Sequence, residues 1–173
     1  NQETVFYPLE INLCRKCILL QTSHIVEDKK LYPSNYHYTP GISKQIRDNF
    51  NEFAKKTIDL YKLKRSDLIL DIGCNDGSLL DEFKKFGFNS LFGIDPTNTI
   101  EIAKSKGHKT IQDFFNTKSA ETFLKKSKVP KIISTTNVFA HTGKLGEFIE
   151  GLLKIMKKET IFIVENHYLS SII

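Results

Sequence analysis

Three groups of residues in this 173-residue chain have types and spacings that can do chemistry. The first is "LILDIGCNDGSLL", residues 68 to 80, where Asp71 stands just before two glycines, Gly73 and Gly77. Glycines at a strand-to-helix turn let the backbone approach a ligand closely and adopt dihedrals that a Cβ forbids. Asp95, in "GIDP" at the end of the next apolar run, can take both hydroxyls of a ribose. The second group is "CRKC", in which Cys14 and Cys17 have the spacing of half a tetrahedral zinc site. The third is a set of histidines and tyrosines. "NYHYTP" carries Tyr36, His37 and Tyr38, "NVFAH" carries His141, and "ENHY" carries Glu165, His167 and Tyr168. Imidazole and phenol side chains can move protons, with pKa values tuned by their neighbours.

The glycine turn discriminates between ligands. A dinucleotide fingerprint reads G-x-G-x-x-G and leaves room for pyrophosphate at the helix N-terminus. Here the turn reads G-C-N-D-G. Asn75 replaces the middle glycine, and Asp76 brings a negative charge to the place of the pyrophosphate, which disfavours a nicotinamide cofactor. A ligand with a cationic sulfonium and an amino group suits the acidic turn better. The plain alternative is a glycine turn that only makes a tight bend. Cys74, inside it, is expected to be a small packing residue rather than a nucleophile.

These residues need elements to position them. From Ile42 onward, Ile46, Phe50, Phe53, Ile58 and Tyr61 recur near helical spacing with charges between them. The chain then alternates. "LILDI", "SLFGID", "HKTIQDFF", "PKIISTTNVFA" and "TIFIVE" hold strands. "GSLLDEFKKFG", "TNTIEIAKSKG", "SAETFLKKSK" and "GKLGEFIEGLLKIMKK" read as helices. Gly87 and Gly107 are expected to close the first two, and Thr97 or Asn98 to cap the second. Such alternation predicts βαβ units, a parallel sheet and helices on both faces. The ligand then sits at the carboxyl ends of the strands, near the point where strand order reverses. Residues 1–26 differ, reading as two short extended runs around the cysteine pair, followed by a polar, tyrosine-rich connection.

Composition bounds the class. The chain is 40% apolar and 26% charged, which is ordinary for a globular protein. Its net charge of +5 comes mostly from dispersed lysine pairs such as Lys55–Lys56 and Lys125–Lys126, without the basic, aromatic-laced stripe of a nucleic-acid surface. No apolar run approaches the roughly 20 residues of a membrane helix, and the first residues lack the pattern of a signal peptide. Three cysteines and no secretory signal predict reduced thiols and a cytoplasmic location. The first and last residues carry neither an initiator methionine nor a terminating signal, so a fragment of a longer protein is expected.

"DIGCNDGSLL", "GIDP", "DFF", "TTNVFAH" and "IFIVENHYL" together resemble the class I S-adenosylmethionine-dependent methyltransferases. More narrowly they resemble the nucleotide-sugar C-methyltransferases of deoxysugar biosynthesis, which carry an N-terminal zinc module. That resemblance implies an α/β fold, a Rossmann-like parallel-sheet methyltransferase core, truncated here, behind a small zinc-ribbon-like segment. Residues 1–41 would be the partial zinc module and connector, and 42–173 the cofactor-binding core. It implies that Asp71, Gly73 and Gly77, with Asn75 between them, line the methionine part of the cofactor. Asp95 would take the ribose, Asp113 and Phe114 the adenine, and Asn137 would lie near the transferred methyl or the amino acid moiety. One of Phe114 and Phe115 is expected to be plain core. The other two zinc ligands lie upstream in that family, so Cys14 and Cys17 would be a half-site only.

C-methylation beside a ketone needs a base for the α-proton and a donor for the enolate oxygen. His141, Tyr38 and His167 are the candidates for these roles. "ENHY" departs from the Glu-x-Pro-Tyr pattern that the resemblance would imply. The expected substrate is a small molecule, a nucleotide sugar, with no nucleic-acid or membrane partner. The alternatives are O- or N-methylation of another small molecule, or a non-catalytic binding module built on the cysteine knuckle.

Overall fold

The computed structural model describes residues 5–33 and 35–167, and Tyr168 lies outside the described residues. Two short antiparallel strands, β1 (Ile11–Leu13) and β2 (Leu20–Thr22), flank the cysteine turn, with Ile11 opposite Thr22. The turn closes through the Ile18 amide on the Cys14 carbonyl at 2.8 Å, with Ile18 in the left-handed region at φ +61°. A four-residue helix, α1 (Asp28–Leu31), interrupts the connection, where sequence gave no helix signal. A 3₁₀ turn at Pro40–Ile42 leads into α2 (Lys44–Tyr61), whose first turn is capped by the Ser43 hydroxyl accepting from the Ile46 amide.

The remainder is the expected alternation. β3 (Ile69–Ile72), α3 (Ser78–Lys85), β4 (Leu91–Asp95), α4 (Ile100–Ser105) and β5 (Lys109–Gln112) come first. Then follow α5 (Thr117–Lys126), β6 (Ile132–Thr136), α6 (Leu145–Ile155) and β7 (Ile161–Glu165). The five strands pair in parallel in the order β5-β4-β3-β6-β7. Strand order reverses between β3 and β6, where Asp71 lies opposite Ser134. β3 and β4 are buried along their whole length, which explains why Asp71 and Asp95 are their only charged residues.

Helices cover both faces. Phe50, Ala54, Leu79, Leu80, Phe83 and Ile100 of α2, α3 and α4 pack with Ile69 and Ile132 on one side. Phe123 of α5 and Phe148 and Leu152 of α6 pack with Leu70, Phe92 and Ile133 on the other. The Phe92 and Phe123 rings meet edge to face at 5.0 Å. Gly87 and Gly107 follow their helices with φ near +90°, as expected. The expected cap at Thr97 or Asn98 is not formed. α4 starts at Ile100, and the Thr97 amide and hydroxyl both donate to Asp95. A nearby carboxylate accepts more strongly than a capping hydroxyl would, and it recruits Thr97.

Candidate functional site

A cleft of about 1150 Å³ opens at the carboxyl ends of the strands, over the reversal point. It is lined by Asp71 near the end of β3 and Gly73 just after it, Asp95 at the end of β4, Asp113 and Phe114 after β5, and Asn137 after β6. These six residues come from four separate strand ends, and Asn75 joins them from the turn. Tyr38 and His141 also line the cleft.

Asp71 is 2% exposed and accepts from the Ser134 hydroxyl at 2.8 Å. Burial raises its pKa to about 7; the Ser134 hydrogen bond pulls the other way, and the charge of Asp95 adds to the rise. Asp95 is 5% exposed, and both its oxygens are engaged. Oδ1 accepts from the Thr97 amide at 2.8 Å, and Oδ2 from the Asn75 amide at 2.9 Å. Oδ1 also accepts from the Thr97 hydroxyl, so Oδ2 is the oxygen with a second lone pair left for a ligand hydroxyl. Burial, and then Asp71 and Asp95, push the Cys74 thiol up, which leaves it inert as expected.

The glycine turn differs from its sequence reading in two places. Gly73 lines the cleft at φ +76°, and a Cβ there would lie 2.2 Å from Val138 Cγ2, so its bareness admits a neighbouring side chain. Gly77, also at φ +76°, lies outside the cleft lining. A Cβ on it would meet Ala103 at 2.8 Å, so it shapes the turn and lets α4 close on it. Asp76 lies outside the cleft lining as well. Its Oδ1 accepts from the Ser78 amide at 3.1 Å and hydroxyl at 2.7 Å, satisfying the start of α3, and its Oδ2 accepts from the Gly41 amide at 3.2 Å.

Asp113 turns its Oδ1 to the Phe114 amide at 2.8 Å, while its own amide donates to the Asp95 carbonyl at 3.2 Å. Phe115 packs against Phe148 with ring centroids 4.9 Å apart, so it is the core member of the pair. Phe114 instead meets Tyr32 edge-on at 6.5 Å, and Tyr32 meets Tyr36 at 5.8 Å. Burial, then the neighbouring tyrosine and Asp95 among other acidic groups, raise the Tyr32 and Tyr36 hydroxyls. Tyr32 was not singled out by sequence, where it is one tyrosine of several in a polar run. Asn49 of α2 reaches Glu165 of β7 at 3.3 Å across the cleft and was hidden inside an amphipathic pattern.

The proton-transfer candidates separate. Tyr38 and His141 face the cleft, His141 from a 3₁₀ turn at Phe139–His141. His37 and His167 are exposed and lie outside its lining. β7 ends at Glu165, which itself lines the cleft, and two further residues carry His167 beyond it. Cys14 and Cys17 are together: the Cys17 amide, the Lys16 amide and the Cys17 thiol hold the Cys14 thiol below its ordinary range. Among the described residues no group of three or more His, Cys, Asp or Glu side chains could hold a metal ion. Two thiols fit half of a tetrahedral zinc site and no more. His24, the histidine nearest in sequence, instead faces the Tyr7 ring at 5.3 Å.

The cleft fits a cationic nucleoside ligand on two counts. Carboxylates stand at the ends of three adjacent strands, and Asn75 Oδ1 is buried without a partner among the described residues, an acceptor that a ligand donor would satisfy. No described helix is long and apolar enough to cross a membrane.

Comparison with known proteins agrees with this geometry. The C-methyltransferase NovU of Streptomyces niveus is 26% identical over 168 residues, covering 96% of this chain and 39% of that protein. The solved plantazolicin methyltransferase BpumL in complex with SAH is 26% identical, with a TM-score of 0.53, over 69% of this chain and 50% of its own. DesVI of Streptomyces venezuelae shares the fold at 15% identity and a TM-score of 0.53, over 79% of this chain and 61% of its own. The chain thus spans 39% of NovU, 50% of BpumL and 61% of DesVI. A family model described as a methyltransferase domain matches residues 38–171, most of the chain, and the chain belongs to that family.

Proposed function

We propose that this chain is the S-adenosylmethionine-binding part of a methyltransferase. The observation that carries the reading is the placement of Asp71, Asp95 and Asp113 at three successive strand ends around one cleft. When bound, S-adenosylmethionine supplies a methyl group on a sulfonium. Asp71, Gly73 and Asn75 would hold its amino acid end, Asp95 its ribose hydroxyls, and Asp113 with Phe114 its base. Asn137 is fixed in the left-handed region at φ +53° by its amide on the Glu165 carbonyl at 2.8 Å, beside the place of transfer.

The finer reading is C-methylation of a nucleotide-linked keto-deoxysugar. The likeness to a C-methyltransferase along 96% of the chain supports it. So does the presence at the cleft of His141 as a base and Tyr38 as a donor to an enolate oxygen. In this reading residues 1–41 are a zinc half-module and connector, 42–173 are the core, and Cys14 and Cys17 bring two of four zinc ligands.

Titration of S-adenosylhomocysteine by calorimetry tests the cofactor assignment. Micromolar binding is expected, and folded protein that gives no binding heat would refute it. Analysis of the methylated product, with the label on carbon rather than oxygen or nitrogen, tests the finer reading.

A further inference from the structure

The glycine turn does more than border the cleft: it holds the connector in place. Asn75 is at the centre. Its backbone amide donates to Asp95 Oδ2 at 2.9 Å, and its side-chain Nδ2 donates to the Tyr38 carbonyl at 2.9 Å. One residue therefore bonds the carboxylate read above as the ribose ligand and the segment that presents Tyr38 to the cleft. Its left-handed backbone, at φ +49°, is what turns the amide and the side chain to different partners. Asn adopts that region more readily than most residues.

Asp76 adds a second tie three residues along the connector. Its Oδ2 accepts from the Gly41 amide at 3.2 Å. The fit is close, since a Cβ on Gly41 would lie 2.4 Å from that same oxygen. Arg47 of α2 closes the bend from the other side by donating to the Gly41 and Ile42 carbonyls. The two residues that set this turn apart from a dinucleotide turn thus each tie the connector with one side-chain atom, Asn75 with Nδ2 and Asp76 with Oδ2.

We infer that Asn75 is a positioning residue that couples the two halves of the site. Ligand on Asp95 steadies Asn75, and Asn75 steadies Tyr38 over the cleft. The coupling rests on the cofactor reading above, while the ties themselves do not.

Amide hydrogen exchange of residues 36–42 tests it, with the Gly41 amide as reporter and S-adenosylhomocysteine as the probe. Asn75→Gly keeps the backbone amide and the left-handed conformation and removes the side-chain tie together with the Oδ1 acceptor. Without ligand, exchange at Gly41 is expected to quicken about tenfold in Asn75→Gly and in Asp76→Ala, the worth of one hydrogen bond. Saturating S-adenosylhomocysteine should slow this segment in the unaltered chain and fail to slow it in Asn75→Gly, even where affinity is reduced. Equal slowing in both, or a bound ligand that leaves the segment unchanged in the unaltered chain, overturns the coupling. If no ligand binds, the cofactor reading falls and the coupling falls with it. The ties are then judged on ligand-free exchange alone, and unchanged rates in both variants overturn them.

Discussion

Asp71 is the residue whose burial can be read most directly as a number. A carboxyl raised from 3.8 to about 7 has lost about three pH units of its preference for the charged form. At about 1.36 kcal/mol per unit, that sets a ceiling of about 4 kcal/mol on the cost of keeping Asp71 ionised in the folded chain. The folded pKa lies above the unfolded one, so the contribution to stability is intact below about pH 4. It declines as pH rises and is fully lost above about pH 7. Asp71→Asn keeps the shape and an oxygen for the Ser134 hydroxyl, but it cannot ionise. The variant should fall below the parent by roughly 1–2 kcal/mol near pH 4, the burial cost of the amide itself, and exceed it by roughly 2–3 kcal/mol at pH 8. Urea unfolding followed by circular dichroism at pH 4, 5, 6, 7 and 8 reads the difference between the two proteins, which cancels the titration of all other groups. A difference that stays flat with pH, or shrinks as pH rises, would refute the reasoning. The same substitution should weaken S-adenosylhomocysteine, because the stabilising change removes the charge that faces its amino group. Stability and affinity moving in opposite directions at pH 8 is the signature of a site that stores burial cost for function.

Two further outcomes follow from the packing. Phe114→Ala should weaken S-adenosylhomocysteine by roughly 1–3 kcal/mol, the worth of a base stacked on an aromatic ring, while leaving urea stability nearly unchanged because Phe114 is only half-buried. Isothermal calorimetry reads the first and urea unfolding the second, and equal affinity would remove Phe114 from the base site. Phe123→Ala, by contrast, empties a fully buried position against Phe92 and should cost about 3–5 kcal/mol in urea unfolding with ligand affinity retained in the folded fraction.

Much of the fold was legible along the chain because its signals are local. Short apolar runs, helical spacing and glycines after helices each depend on a few neighbouring residues, so β3 to β7 and their helices stand where they were expected. Asp71, Asp95, Asp113 and Asn137 were legible for the same reason, since each lies at or just past the end of a strand and strand ends converge in a parallel sheet. What was misjudged depends on contacts distant in sequence. Thr97 appeared to be a helix cap until Asp95 recruited it. Asp76 appeared to face a ligand, but it faces Gly41, 35 residues away. Gly77 appeared to line the cofactor site and instead makes room for α4. His167 stood beside Glu165 in sequence, yet only Glu165 lines the cleft.

The strand–helix alternation, the glycine turn and the carboxylates at the strand ends follow from the order of residues alone, because period and turn chemistry are written residue by residue. Tertiary structure alone decided which of those residues share a cavity, that Tyr32 and Asn49 join them, and that Asn75 and Asp76 bind the connector. Hydrogen-bond partners and burial depend on which distant segments meet, and only the packed chain brings those segments together.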